Sequence, residues 1–365
     1  MPAINWLTHT FSCTSGSMGD EGSTDWTHPE YAYDNNDGNL ASVVFTGFGV
    51  SEYLFGDPIN TSGYSGSISR VWFGCKIKSS NLNLSYFMIG TDDITFANPT
   101  FGSNLLIGDN IKNSQINTEE TFWIECYKYD YSEITWSDIE DLYIILAVSS
   151  TGSYTAYCNQ LYVKVEYTTQ TVTRNTTTIH YNAGSTSSAT SPWNDTDWTN
   201  SAYAWDDNDG NYATVALTSP NYSYLLRATG HDNVITSGEI KFVGTKVKLK
   251  ASAAVYYYSV ISVSINNGSN WVDYFGSIAG DGILSISTTE DDYGDAITEY
   301  YNGSSTPSGY NADDFTSWTI VNNVDLRCAF GWYDTNGTIS VNQFELFVVY
   351  YTREVSSPFP CHFNS

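Results

Sequence analysis

The chain has 365 residues, and its 40 Asp and Glu against 14 Lys and Arg give a formal charge of −26. That balance repels phosphate backbones and anionic lipid headgroups, and no Lys/Arg cluster offsets it, so nucleic acid and membrane insertion are excluded as modes of action. With 29 Tyr, 17 Phe and 11 Trp, few charges and abundant Ser, Thr, Asn and Gly, the composition is that of short strands joined by tight turns, an all-β protein.

At the N-terminus, Met1 to Thr10 show neither the basic start nor the apolar core of a secretory signal peptide. No run reaches the roughly 20 apolar residues of a transmembrane segment. A surface-like composition without an export signal fits a particle assembled inside a cell and released by lysis. The expected location is a virion surface or the extracellular space.

Asp25-Trp26-Thr27 opens a segment that passes Pro29, Tyr31 and Ala32, reaches the turn Asp34-Asn35-Asn36-Asp37-Gly38-Asn39, and continues into Ala41-Ser42-Val43. Residues Ser69 to Lys78 alternate apolar and polar side chains, the period of a half-buried strand. Trp136 to Leu142 has apolar residues at three-residue spacing and predicts one short helical turn before a strand through Ile144, Leu146 and Val148. Leu161 to Tyr167 predicts a closing strand. The polar stretch Thr168 to Thr177 lacks Pro and Gly and reads as extended chain leading to Thr178-Ile179-His180-Tyr181, an echo of Thr8-His9-Thr10-Phe11.

The pattern then starts again. Residues 197–215 match residues 25–43 at 12 of 19 positions with a constant offset of 172. Phe242 to Lys250 repeats the alternating strand, with Lys246, Lys248 and Lys250 on one face. Trp318 to Val324 repeats the helical turn and leads into Leu326, Cys328 and Phe330, and Phe344 to Tyr351 repeats the closing strand. A period this long is a whole domain. The expected architecture is two tandem antiparallel β-sandwich domains of jelly-roll type, about eight strands each, over 1–172 and 173–353, with an extended arm over 354–365. An immunoglobulin-like sandwich is the alternative, disfavoured by domain length and by the lack of a Cys…Trp…Cys pattern. Cysteines 13, 75, 126, 158, 328 and 361 form no C-x-x-C pair and fall at different places in the two copies, so buried free thiols are expected. A Cys126–Cys158 bridge is the alternative in oxidising surroundings.

These segments are similar to a recurrent domain of tailed-phage virion proteins and bacterial surface proteins. Its pattern opens with W-x-N-P-x-N-A and an acidic turn, continues through L-x-A-T-x-F-G-F and S-W-T-x-x-D-I-N, and closes in a V-x-V-T-V-x-Y-T strand. The matching residues here are Trp26 to Ala32, Asn39 to Ser42, Tyr53-Leu54-Phe55-Gly56, Tyr224 to Gly230, Thr135 to Glu140 and Val163 to Thr168. Ser201 departs from the pattern, which has Pro there. The opening also resembles galactose-binding-like sandwiches of the discoidin type. The resemblance implies a β-sandwich on a virion or cell surface and, at the acidic turn, a structural calcium.

Asp34, Asp37 and Asn39, with Asp206, Asp209 and Asn211, are the candidate calcium ligands, because Asp and Asn oxygens in a tight turn are the donors that ion takes. The same residues also make ordinary turns through local side-chain hydrogen bonds. Trp26 and Trp198, beside these turns, are candidate sugar-stacking or interface aromatics, with core packing the favoured alternative. Tyr257 joins them, because the run Tyr256-Tyr257-Tyr258 cannot point wholly inward in a strand. No H-E-x-x-H, G-x-S-x-G or phosphate loop is present, and no carboxylate pair stands out, so no catalytic residue is nominated. The expected role is that of a non-enzymatic structural protein of a virion surface, a capsid decoration or a tail or fibre component, that associates with itself or with other virion proteins. The alternative is a calcium-supported carbohydrate-binding or adhesion module with glycans as partners.

Overall fold

In the computed structural model the chain divides into two compact units, one over Met1–Val172 and one over Thr173–Thr298 with Gly309–Thr352. The structure describes residues 3–13, 16–19, 24–34, 38–56, 59–80, 84–90, 106–108, 111–112, 119–128, 132–140, 142, 144–187, 195–206, 210–231, 233–275, 283–293, 315, 317–333 and 336–353. The expected arm over 354–365 lies outside them.

The first unit contains β1 (Leu7–Ser12), β2 (Gly16–Gly19), β3 (Ala41–Val50), β4 (Tyr53–Gly56), β5 (Ser67–Ser79), β6 (Leu84–Gly90), β7 (Leu106–Gly108), β8 (Ile111–Lys112), β9 (Glu120–Lys128), helix α1 (Trp136–Glu140) and β10 (Ile144–Thr168). All named pairings are antiparallel. The spine is β10: its first residues pair with β4 and β6, its middle with β3, and its last part with β5 and β1. Period two places Val71, Phe73, Cys75 and Ile77 of β5 in the core, against Leu146, Val148, Leu161 and Val163 of β10.

The second unit contains β11 (Val172–Ser187), β12 (Ala213–Leu217), β13 (Leu225–His231), β14 (Glu239–Ala251), β15 (Val255–Ser264), β16 (Val272–Phe275), β17 (Ile283–Ile286), β18 (Asp291–Tyr293), helix α2 (Trp318–Val321), β19 (Asp325–Gly331) and β20 (Gly337–Arg353). The work of the single strand β10 is divided here: β19 pairs with β13 and β15, and β20 pairs with β12 and β14. Register is kept. Leu54 faces Leu146 and Leu226 faces Cys328, while Phe73 faces Val163 and Thr245 faces Leu346.

All-β sandwich architecture is thus present in both units, with the two helical turns at the expected places. Ten strands are described in each sheet system, two more than the alternating segments predict, because very short strands such as Ile111–Lys112 carry no readable period. The polar stretch up to Thr177 is extended, and from Val172 it forms the first part of β11. The cores place Ile179 and Tyr181 where Phe11 and Cys13 stand, two residues away from the echo read in the sequence. Cys13, Cys75, Cys126, Cys158 and Cys328 are buried free thiols, so the alternative Cys126–Cys158 bridge is not made. Burial pushes the Cys75, Cys158 and Cys328 thiols far above their ordinary range.

Candidate functional site

The described residues of the two acidic turns are arranged alike. Each follows a short 3-10 helix, Pro29–Ala32 or Ser201–Trp205, entered from a residue in the left-handed region, His28 (φ 55°) or Asn200 (φ 53°). Ser201 therefore starts the same helix without the proline. The Asn39 amide donates to Asp34 Oδ2 at 2.7 Å, and the Asn211 amide to Asp206 Oδ2 at 2.8 Å. Asp37 and Asp209 lie outside the described residues. The described part of each turn thus offers one carboxylate and one side-chain amide oxygen, fewer than the six to eight oxygens that calcium takes. Among the described residues no three of His, Cys, Asp or Glu gather into a metal-sized cluster.

The neighbouring tryptophans take the favoured core-packing reading and not the sugar-stacking one. Trp26 is 3% exposed and Trp198 6%, and their indole N–H groups donate to the carbonyls of Glu52 (2.8 Å) and Tyr224 (2.7 Å). A tryptophan whose ring is in the core and whose N–H is satisfied offers no face to a ligand. Tyr257 is likewise fully buried; the exposed ring of that run is its neighbour Tyr256, because inward and outward positions alternate.

Sequence reasoning missed a second layer of duplicated contacts. The buried Ser51 hydroxyl donates to Glu52 O and accepts from Val148 N–H at 3.0 Å; Ser223 does the same between Tyr224 O and Phe330 N–H, also at 3.0 Å. The buried Gln160 amide donates to Cys13 O and Gln343 to Tyr181 O, at 2.8 and 3.1 Å. The dipeptides Asn159-Gln160 and Asn342-Gln343, each before an apolar residue in a closing strand, are the signal that would have found them. Both sit at bulges in the pairing with β5 and β14.

The copies diverge on their outward faces. In the first unit, Arg70 makes a bidentate pair with Glu125 (both contacts 2.7 Å), and Lys164 lies between Trp72 (4.3 Å) and Trp123 (4.6 Å). Arg70, Trp72 and Glu125 are buried, so the Arg70–Glu125 pair is a closed, mutually neutralised piece of framework beside the Lys164 ammonium. The second unit keeps cations on β14, among them Lys246, Lys248 and Lys250, and carries two more on β13 and β19. Arg227 of β13 stands directly opposite Arg327 of β19, at the register occupied in the first unit by Phe55 and Ile145. Trp271 lies over both guanidinium groups, 5.3 Å from Arg227 and 4.3 Å from Arg327. Arg227 donates to Asp325 (2.5 Å) and to Asn267 O (3.0 Å), and Arg327 Nε donates to Ser262 (3.1 Å). Burial pushes the Asp325 carboxyl up, with Arg227 pulling the other way. The Arg227 side chain remains 31% exposed.

No protein-family model and no curated protein matches this chain. Among solved structures, a β-porphyranase of glycoside hydrolase family 86 from Bacteroides plebeius aligns at 10% identity and a TM-score of 0.21, covering 86% of this chain but 37% of its own. The N-glycanase PNGase F aligns at 8% identity and 0.23, covering 95% and 99%. A structure of infectious bursal disease virus aligns at 10% identity and 0.20, covering 98% and 78%. At TM-scores this low, none of them transfers an activity or a partner.

Proposed function

We propose that the chain is a non-enzymatic structural protein of a virion surface, assembled from duplicated β-sandwich modules that contact one another or neighbouring virion proteins. The observation that carries this reading is what duplication has kept: the matched residues described above, Trp26 and Trp198, Ser51 and Ser223, Gln160 and Gln343, serve the framework. A duplicated scaffold with divergent outer faces suits a lattice or fibre component. No helix of the described residues is long and apolar enough to cross a membrane.

A surface for assembly is available on β3. This strand runs for ten residues, whereas β12 stops at Leu217, shortly before Pro220, which cannot donate to a ladder. Its alternate residues Val44 (56% exposed) and Phe48 (88%) face outward, and among the described strands it pairs with β10 alone. Ser42 is bridged to Thr27, and beyond it, from Val44 to Val50, no described strand other than β10 pairs with β3; a strand edge of that kind carrying an exposed aromatic suits sheet extension. The test is solution mass with negative-stain imaging of the full-length protein at micromolar concentration. Regular oligomers, rings or filaments that Phe48→Ser weakens are expected. A monomer unchanged by that substitution, and unable to bind any particle of its own virus, would overturn the reading.

A further inference from the structure

Ser42 shows which way the backbone of β3 faces. Its N–H donates to Thr27 O at 3.0 Å and its carbonyl accepts from Thr27 N–H at 2.7 Å, on the side away from β10. Backbone direction alternates along an antiparallel strand, and β3 pairs with β10 from Ala41 to Val50 without a bulge. Val44, Thr46 and Phe48 therefore aim both their N–H and their C=O groups at the open side, where no described strand receives them. The opening is bounded by Thr27 at Ser42 and by Thr24, which bridges to Ser51. The side chains of Val44, Thr46 and Phe48 are all exposed on the outer face.

These open positions are symmetric about Thr46, and the occupant they fit is a second copy of the same strand. An antiparallel copy related by a two-fold axis at Thr46 sets Val44 against Phe48 of the second copy, Thr46 against Thr46 and Phe48 against Val44. Each pair then exchanges two backbone hydrogen bonds, and no open donor or acceptor of the three residues is left over. Aromatic with β-branched and Thr with Thr are favourable neighbours across a ladder. On the inner face the same register brings the buried Phe45 opposite Gly47 of the second copy, where a Cβ would meet no atom within 4 Å. Ala41 to Val50 holds no charged side chain, so the contact sets no like charges against each other although each chain carries −26. An edge this short is small beside the roughly 1,200 Å² of a stable interface, so the pairing is weak and suits copies held close together on a lattice.

We propose that β3 joins two copies of this chain by antiparallel edge pairing about a two-fold axis at Thr46. The inference rests on the assembly reading of β3 given above and adds to it the partner and the register. The experiment is analytical sedimentation of the full-length protein up to about 0.1 mM, between the micromolar and millimolar ranges of weak association, joined to disulfide trapping. A monomer–dimer equilibrium is expected that strengthens as salt is raised, because screening removes the repulsion between two acidic chains. Phe48→Ser is expected to weaken it about tenfold. Gly47→Lys, which has open space within its own chain but sets a charge opposite Phe45 of the second copy, is expected to do the same. Register is read by trapping: Val44→Cys mixed with Phe48→Cys should cross-link, because paired Cα atoms stand about 5.5 Å apart. Either variant alone should cross-link at least about tenfold more slowly, its two cysteines being offset by about 13 Å along the ladder. The unsubstituted chain is the blank for the native thiols. A monomer at every concentration, equal trapping by single and mixed variants, or a dimer that Gly47→Lys and Phe48→Ser leave intact overturns the proposal. So does a dimer that weakens as salt is raised, which would mean a charge-paired contact. Trapped dimers of a chain that binds no virus particle would sink the virion reading alone, and particle binding by a chain that gives no such dimer would sink this inference alone.

Discussion

Trp136 meets Tyr167 edge-on, with ring centroids 5.1 Å apart and an interplanar angle of 79°, and Trp318 meets Tyr350 at 5.0 Å and 84°. Each indole also donates to a glycine carbonyl: Trp136 to Gly66 at 3.0 Å and Trp318 to Gly238 at 3.3 Å. Those glycines have φ of +107° and +108°, and each leads into the long strand that pairs with the spine of its unit. The short helix, the glycine turn and the closing strand are thus tied into one corner, built twice.

Gly66 is expected to be intolerant of a side chain. An alanine Cβ would come within 2.1 Å of Thr168 O, and at Gly238 within 2.4 Å of the Tyr350 ring, in addition to the positive-φ strain. Gly66→Ala should cost about 2–4 kcal/mol. Gly63→Ala is the control: it has φ +92° with open space around it and should cost about 1 kcal/mol. Urea unfolding of both variants checks the ordering; equal costs would mean that the close approach contributes nothing.

Gln343 and Asn342 are neighbours in one bulge with opposite expectations. Gln343→Leu strands the buried carbonyl of Tyr181 and should cost about 2–3 kcal/mol. The Asn342 amide is buried with neither its nitrogen nor its oxygen hydrogen-bonded among the described residues. Replacing a polar group in that state with one of similar shape is close to neutral, so Asn342→Leu should change stability by less than about 1 kcal/mol. Denaturant midpoints of the two variants decide it, and a larger loss at Asn342 would contradict this ordering.

The duplication, the strands at Ser69 to Lys78 and Phe242 to Lys250, and both helical turns were legible because period and repetition are local properties of sequence. For Trp26 and Trp198 the sequence favoured core packing without fixing it, since a tryptophan beside a polar turn reads alike whether its ring points in or out. Only the carbonyls of Glu52 and Tyr224, each 26 residues further on, settle the direction. The Arg227–Arg327 pair was equally hidden. Two arginines 100 positions apart become neighbours through the register of β13 and β19, and no alternation within either strand announces it.

Acid should destabilise the first unit partly through Asp138. Burial opposes its ionisation, but the Lys128 ammonium, the Thr135 hydroxyl and the Thr135 backbone N–H outweigh that and hold the carboxyl below its ordinary value of 3.8. A folded-state value below the unfolded one gives stability that is complete above the unfolded value and is lost as pH falls through the folded one. Asp138→Asn should therefore lower stability at neutral pH and flatten its decline below about pH 4. Thermal unfolding across that range checks the slope; an unchanged slope would remove Asp138 from the acid response.

Calcium at the acidic turns is a proposal with a separable signature. Any cation will raise the melting temperature somewhat by screening a charge of −26, so the informative quantity is the excess of calcium over magnesium at equal concentration. A turn site needs Asp206, whose Oδ2 accepts from Asn211, to gain several oxygen neighbours around one ion. The proposal expects about 2 mM calcium, a level at which weak surface sites fill, to stabilise the protein beyond magnesium. Asp34→Asn with Asp206→Asn should abolish that excess. Equal stabilisation by the two ions would leave both turns as loops closed by Asn39 and Asn211, with no metal in them.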